Sequence, residues 1–150
     1  MGLGYFGAFL AGFLGSSSLF IGFFPSFLIV PILATHFNWV AIGVLAGIGA
    51  GIGQYLHYYV GLGGRLILTD KMKKSMDKWK TRLDKYGVLL IFVFAATPFT
   101  PDDVIWIPLG MMKYPKLKAL SAAIIGKTIL NLIYAYAGSI GITMLYHHIF

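Results

Sequence analysis

Three ionisable groups stand inside apolar sequence: Asp102, Asp103 and Lys127. A charged side chain near mid-bilayer costs ~2.5–3.5 kcal/mol on insertion scales, and by default it marks a pathway. Burial raises a carboxyl pKa, which suits coupling to protons or cations. A plainer role is also open to the acids. Thr100-Pro101-Asp102-Asp103 reads as a helix start, with Thr as N-cap, Pro at the first position and acids in the first turn. One Asp can cap while the other titrates. Lys127 lies seven residues into the apolar run that opens at Leu120. That is ~10 Å of helix, near the limit over which its stem can snorkel. We expect Lys127 to point inward, towards an Asp or a phosphate.

Uncharged polar groups interrupt the same kind of sequence. Ser16, Ser17 and Ser18 precede Pro25, and Thr97, Pro98, Thr100 and Pro101 precede the acids. Their hydroxyls suit hydrogen bonds to a polar headgroup. Gln54 and Asn131 are amides that could coordinate a headgroup, meet each other, or make an ordinary interhelical bond. His57, His147 and His148 have no metal-ligand partners in the sequence and are expected near interfaces. Gly43, Gly47 and Gly51 recur every fourth residue, a face for close helix packing and not a phosphate loop. There is no nucleophile–base pair and no cysteine. We expect no enzyme, no metal and no cofactor.

The elements that must position these groups are set by the distribution of charge. The first 64 residues hold no Asp, Glu, Lys or Arg, and all twelve Lys and Arg fall between Arg65 and Lys127. Hydrophobic residues make up 58% and charged residues 11%, against about 25% charged in soluble domains. A 150-residue soluble domain could not hide that much apolar surface, so the solvent is lipid. The net charge of +7 then sets orientation and attracts anionic headgroups; it is not a nucleic-acid footprint. We expect a multi-pass protein of the cell (plasma) membrane with the basic stretches 65–86 and 113–118 cytoplasmic. The uncharged N-terminal run does not read as a cleavable signal peptide.

Four apolar blocks follow. Trp39 to about Leu62 and Leu120 to about Leu145 exceed the ~20 residues that cross a bilayer. Gly7 to Ala34 is broken near Ser16–Ser18 and again at Pro25 and Pro31, and Val88 to Met112 is broken from Thr97 to Asp103. Broken backbone at membrane depth survives only when buried in protein or lining a wet cavity. Basic residues flank the third block on both sides, so it is expected to be a re-entrant hairpin from the cytoplasm. The first block, with uncharged flanks, would enter from outside. Between the repeats, Met72, Met76, Trp79, Leu83 and Tyr86 line one face of a helix from Asp70 to Tyr86. Lys73/Asp77 and Lys80/Asp84 are its helical neighbours, and Trp79 and Arg65 are expected to anchor it at the interface.

An offset of 77 residues aligns Pro31 with Pro108, Gly49 with Gly126, Gln54 with Asn131, Tyr59 with Tyr136, Gly61 with Gly138 and Gly64 with Gly141. Each repeat is a hairpin plus a spanning helix. The expected fold is therefore a single all-α integral membrane domain: repeat 1 over about 5–64, an amphipathic linker over about 65–86, and repeat 2 over about 87–145. With one hairpin from each face, the repeats are inverted, an architecture of secondary transporters.

Tyr5-Phe6-Gly7 through Pro25, Gly47–Gly53 followed by Tyr58 and Gly61, Lys85-Tyr86-Gly87, Ala95–Asp103, Pro108-Leu109-Gly110-Met111 and Gly126-Lys127 occur in an order that resembles the DedA/VTT superfamily, the SNARE-associated Golgi proteins. The chain looks like a short prokaryotic, archaeal or bacterial, member. The resemblance implies two facing re-entrant hairpins and the flipping or scrambling of polyprenyl phosphates or phospholipids. Bacterial members need an acid in the first hairpin and arginines around the second-hairpin proline. Here Gly15-Ser16-Ser17 stands where the acid belongs, and no Arg flanks Pro98 or Pro101. The expected function is lipid translocation, proton- or cation-coupled, with membrane lipids of anionic headgroup as partners and a homo-oligomer as one form. A small-solute secondary transporter and a non-transporting assembly factor are the alternatives.

Overall fold

The computed structural model describes residues 2–17, 26–97 and 103–149. They form six α-helices: α1 (Gly2–Ser17), α2 (Ser26–His36), α3 (Trp39–Gly64), α4 (Asp70–Ala96), α5 (Asp103–Met111) and α6 (Lys116–Ile149), with a 3-10 turn at Arg65–Ile67 after α3. Capping explains two of the starts. The Asn38 side chain accepts from the amides of Val40 and Ala41 at 3.0 and 3.2 Å, and the Thr69 hydroxyl accepts from Met72 at 3.4 Å. Asp70 in the first turn of α4 also favours its N-terminus.

Two helices, Trp39–Ile67 with its 3-10 turn and Lys116–Gly141, are long and apolar enough to cross a membrane. Their side chains are arranged inside out. On α6 the large Ile125, Ile129 and Ile133 face outward, while Ala122, Ala123, Gly126 and Ala135 are buried. A water-soluble helix would do the opposite, because burial of its largest apolar groups drives folding. Here the outward groups lose nothing to lipid, and the small inward ones let backbones approach.

Those approaches define the packing. A Cβ added to Gly43 would meet Leu132, one at Gly47 would meet Thr128, and one at Gly51 would meet Ile124. The partner number falls as the glycine number rises, so α3 and α6 run antiparallel. α1 runs alongside α3 in the same direction: Gly49 lies on the Phe9 carbonyl, Gly53 on the Phe13 carbonyl, and His57 on the Ser17 carbonyl. Gly126 of α6 lies likewise on Phe92, Ala95 and Ala96 of α4. α3 also receives α5, Gly61 against Ile107, and α6 receives α2, Gly138 against Pro31. Two apolar clusters result. One gathers Tyr58, Trp106, Leu109 and Tyr114; the other gathers Val30, Ile42, Ala46 and Ala135.

The structure corrects several expectations. Pro31 does not break the chain, because α2 runs through it. The proline costs its own backbone donor, but the bare Gly138 leaves room for the distorted turn. The amphipathic segment and the second hairpin's first arm are one helix, α4, uninterrupted at Gly87. A glycine inside a helix costs ~1 kcal/mol against Ala; here the buried Tyr114 ring fills the missing Cβ position. The helices also overrun their expected ends, α1 starting at Gly2 and α6 reaching Ile149. The described α5 starts at Asp103, two residues after Pro101; residues 98–102, and with them Pro98, Thr100, Pro101 and Asp102, lie outside the described residues, as do Ser18 and Pro25.

Candidate functional site

Among the described residues, four polar side chains are buried in apolar surroundings: Gln54 and His57 on α3, Lys127 and Asn131 on α6. They form two groups, because the α3–α6 register separates them. Gln54 lies past the Gly51–Ile124 contact, whereas Asn131 lies beside the Gly43–Leu132 contact. That is roughly 14 Å along α3 at ~1.5 Å per residue.

The first group sits where α1 ends. His57 Nε2 lies 3.2 Å from the Ser17 carbonyl and donates to it in the tautomer that carries the proton there. That carbonyl is one of the orphan acceptors of a helix C-terminus. Ser16 is half-buried, and the Ser17 hydroxyl turns back to the Leu14 carbonyl at 3.4 Å. One helical turn before His57, Gln54 is fully buried, and neither its amide nitrogen nor its amide oxygen has a hydrogen-bond partner among the described residues. An orphaned buried amide costs about 1–3 kcal/mol. His57 is thus buried in the protein core. His147 is exposed on the last turns of α6.

The second group sits where α4 ends. Gly126 on the Phe92–Ala96 turn brings the next residue, Lys127, beside the end of α4. Lys127 is 9% exposed. Asn131 Nδ2 donates to the Lys127 carbonyl one turn back at 2.8 Å, while Asn131 Oδ1 has no partner among the described residues. The expected Gln54–Asn131 meeting is therefore not made. The Thr97 hydroxyl donates to the Val93 carbonyl. Asp103 is the first residue of α5.

A third polar region closes the end of the molecule where α3 finishes and α6 begins. Arg65 donates to the Met111 carbonyl at 2.6 Å and pairs with Asp77 at 3.4 Å. Lys73 pairs with Asp70 at 3.9 Å, not with Asp77 as its helical spacing suggested. Trp79 is 57% exposed with the Arg82 guanidinium 5.1 Å over its ring, and Lys116 stands 5.1 Å over Tyr59. Tyr58 donates to the Tyr114 carbonyl at 2.7 Å, tying α3 to the α5–α6 turn. Burial first, and then the Asp84 carboxylate, push the Tyr114 phenol above its usual pKa, with a smaller opposing effect from a backbone contact at Val88.

Sequence reasoning missed His57 and the orphaned state of Gln54. Both share the face of α3 that continues Gly49 and Gly53 at four- and five-residue steps, so the glycine stripe was the signal available. Among the described residues no three His, Asp or Glu side chains gather in a way that could hold a metal ion. No curated protein and no solved structure matches the chain. A family model for the VTT domain matches residues 2–140. With two apolar helices of spanning length and an outward apolar surface, that match makes the chain a membrane protein of the DedA/VTT family, to which it belongs.

Proposed function

We propose that this protein moves a lipid across the bilayer between two re-entrant hairpins of opposite orientation. Hairpin α1–α2 and hairpin α4–α5 would enter from opposite faces, with α3 and α6 spanning. The observation that carries this reading is the two buried polar groups, Gln54/His57 beside the end of α1 and Lys127/Asn131 beside the end of α4, in which Gln54 and Asn131 hold matching positions 77 residues apart. Antiparallel α3 and α6 are what an inverted repeat requires. The Arg65–Met111 bond gathers the basic segments at one end, which the charge rule makes cytoplasmic.

In this reading the headgroup slides past the hairpin tips while its acyl chains stay in lipid. Lys127 draws the phosphate. Asp102 or Asp103 binds a proton or cation, and Ser16, Ser17, Thr97 and Thr100 offer hydroxyls. The orphaned Gln54 amide supplies a donor and an acceptor whose unmet bonds a passing headgroup or its water would satisfy.

The test uses purified protein in sealed vesicles carrying a labelled phospholipid or a labelled polyprenyl phosphate, with the outer leaflet chemically quenched. Protein-dependent loss of the protected inner-leaflet signal, slowed in Asp102→Asn/Asp103→Asn, is expected, with no leak of small ions. Ion flux without lipid movement would favour a solute transporter. No transport of either kind, with and without a proton gradient, would favour an assembly factor.

A further inference from the structure

Where the 3-10 turn, the first turns of α4 and the α5–α6 turn converge, a notch of about 510 Å³ is lined by Leu62, Gly63, Arg65, Leu66, Lys73 and Lys113. None of the buried polar residues Gln54, His57, Lys127 and Asn131 lines it. We propose that this notch binds the phosphate of an anionic membrane lipid, and that it does so as a fixed site separate from any translocation path. The inference needs the protein to lie in a membrane, but not to move lipid.

Three cations meet over an apolar floor. Arg65 is held in place by the Met111 carbonyl and by Asp77, which leaves further N–H groups for an anion. The two carboxylates nearby neutralise little: Asp70 is 96% exposed at 3.9 Å from Lys73, and Asp77 is half-exposed. Lys113 is in no ion pair among the described residues. Below the cations, Leu66 and its neighbour Ile67 are 84% and 87% exposed. Exposed leucine and isoleucine beside lysines is poor design for water. It fits the interface, where the floor meets glycerol and the first methylenes while the rim meets phosphate. Charge complementarity thus names the occupant, since juxtamembrane Lys and Arg attract anionic headgroups.

Backbone geometry adds a second observation. α5 ends in a double bond, Lys113 N–H to the Gly110 carbonyl at 3.1 Å and Tyr114 N–H to the Leu109 carbonyl at 3.0 Å. This closure puts its left-handed residue at Lys113, with φ 54°, where glycine is the usual choice. The chain thus keeps a lysine in a conformation that glycine would adopt with less strain, and the side chain it keeps lines the notch.

The substitution Lys113→Gly separates fold from binding. Full-length protein in neutral micelles would be titrated with dioctanoyl phosphatidylglycerol, dioctanoyl phosphatidylcholine or glycerol phosphate while its unfolding midpoint is followed. Phosphatidylglycerol is expected to raise the midpoint saturably, with little effect from phosphatidylcholine. Glycerol phosphate at the same concentration should do little. Lys113→Gly and Lys73→Gln should each weaken phosphatidylglycerol about fivefold, and Lys113→Gly should leave the lipid-free midpoint unchanged or higher. Unchanged phosphatidylglycerol affinity in both variants would overturn the proposal, as would an equal response to phosphatidylcholine. An equal response to glycerol phosphate would overturn its lipid occupant and leave a phosphate site.

Discussion

The two halves of this molecule share a frame and differ in chemistry. α1 lies on α3 at Gly49 as α4 lies on α6 at Gly126, and α3 takes α5 through Gly61 as α6 takes α2 through Gly138. Yet beside the end of α1 the first half sets Ser17, Gln54 and His57, with no Asp, Glu, Lys or Arg in its sequence, whereas the second offers Lys127 and the sequence that holds both acids. The same packing device therefore supports one uncharged and one charged half. The packing glycines answer to backbone geometry, which both halves need. The polar residues are not fixed by that geometry, and there the halves differ.

The largest expected effects test the shared frame. Gly49→Val and Gly126→Val should each destabilise by more than about 4 kcal/mol, because the new atoms would press on backbone that cannot yield. Thermal unfolding and yield of monodisperse protein would read this, with Gly141→Ala, which meets nothing within 4 Å, as the silent control. A mild Gly126→Val beside a ruinous Gly49→Val would break the equivalence.

Next come the variants that should divide the halves. Lys127→Met is expected to slow lipid movement by about tenfold or more, a loss of about 1.4 kcal/mol or more from the barrier. Gln54→Leu should slow it far less, while raising stability by about 1–2 kcal/mol as an orphaned amide is removed. Equal slowing by both would erase the functional difference between the tips. A smaller effect is expected for His57→Phe, which loses the bond to the Ser17 carbonyl and should cost about 1 kcal/mol in a denaturant titration. The smallest concerns Tyr114. Its folded pKa is raised, so the stability it contributes is complete below the unfolded value of about 10 and is lost as pH rises through the folded one. Tyr114→Phe should match the wild type at pH 8 and lose less stability above pH 10.

Much of the frame was legible in the sequence because membrane helices announce themselves by length, charge exclusion and glycine spacing. The Gly43/Gly47/Gly51 stripe does pack α3 against α6. Two boundaries failed, while α1 and α4 do end at Ser17 and Ala96, where breaks were expected. The proline signal overstated the interruption at Pro31, and α4 bridges the boundary expected between Tyr86 and Val88, because neither Gly138 beside the proline nor Tyr114 over Gly87 is visible in local sequence. The ion pairs failed for the same reason: Asp77 turned to Arg65, brought by tertiary structure, instead of to Lys73 one turn away. The burial of His57 is not legible in local sequence, since it depends on where α1 ends. Lys127 was legible as a buried candidate because a charge deep in an apolar run has few alternatives.

The opposed orientation of the halves is most directly tested by side-specific labelling. The protein has no cysteine, so single cysteines at Asn38 and at Lys116, the starts of the antiparallel α3 and α6, can be introduced into sealed vesicles of uniform orientation. A membrane-impermeant maleimide should label one position from outside and the other only after the vesicles are opened. Labelling of both positions from the same side would contradict the account.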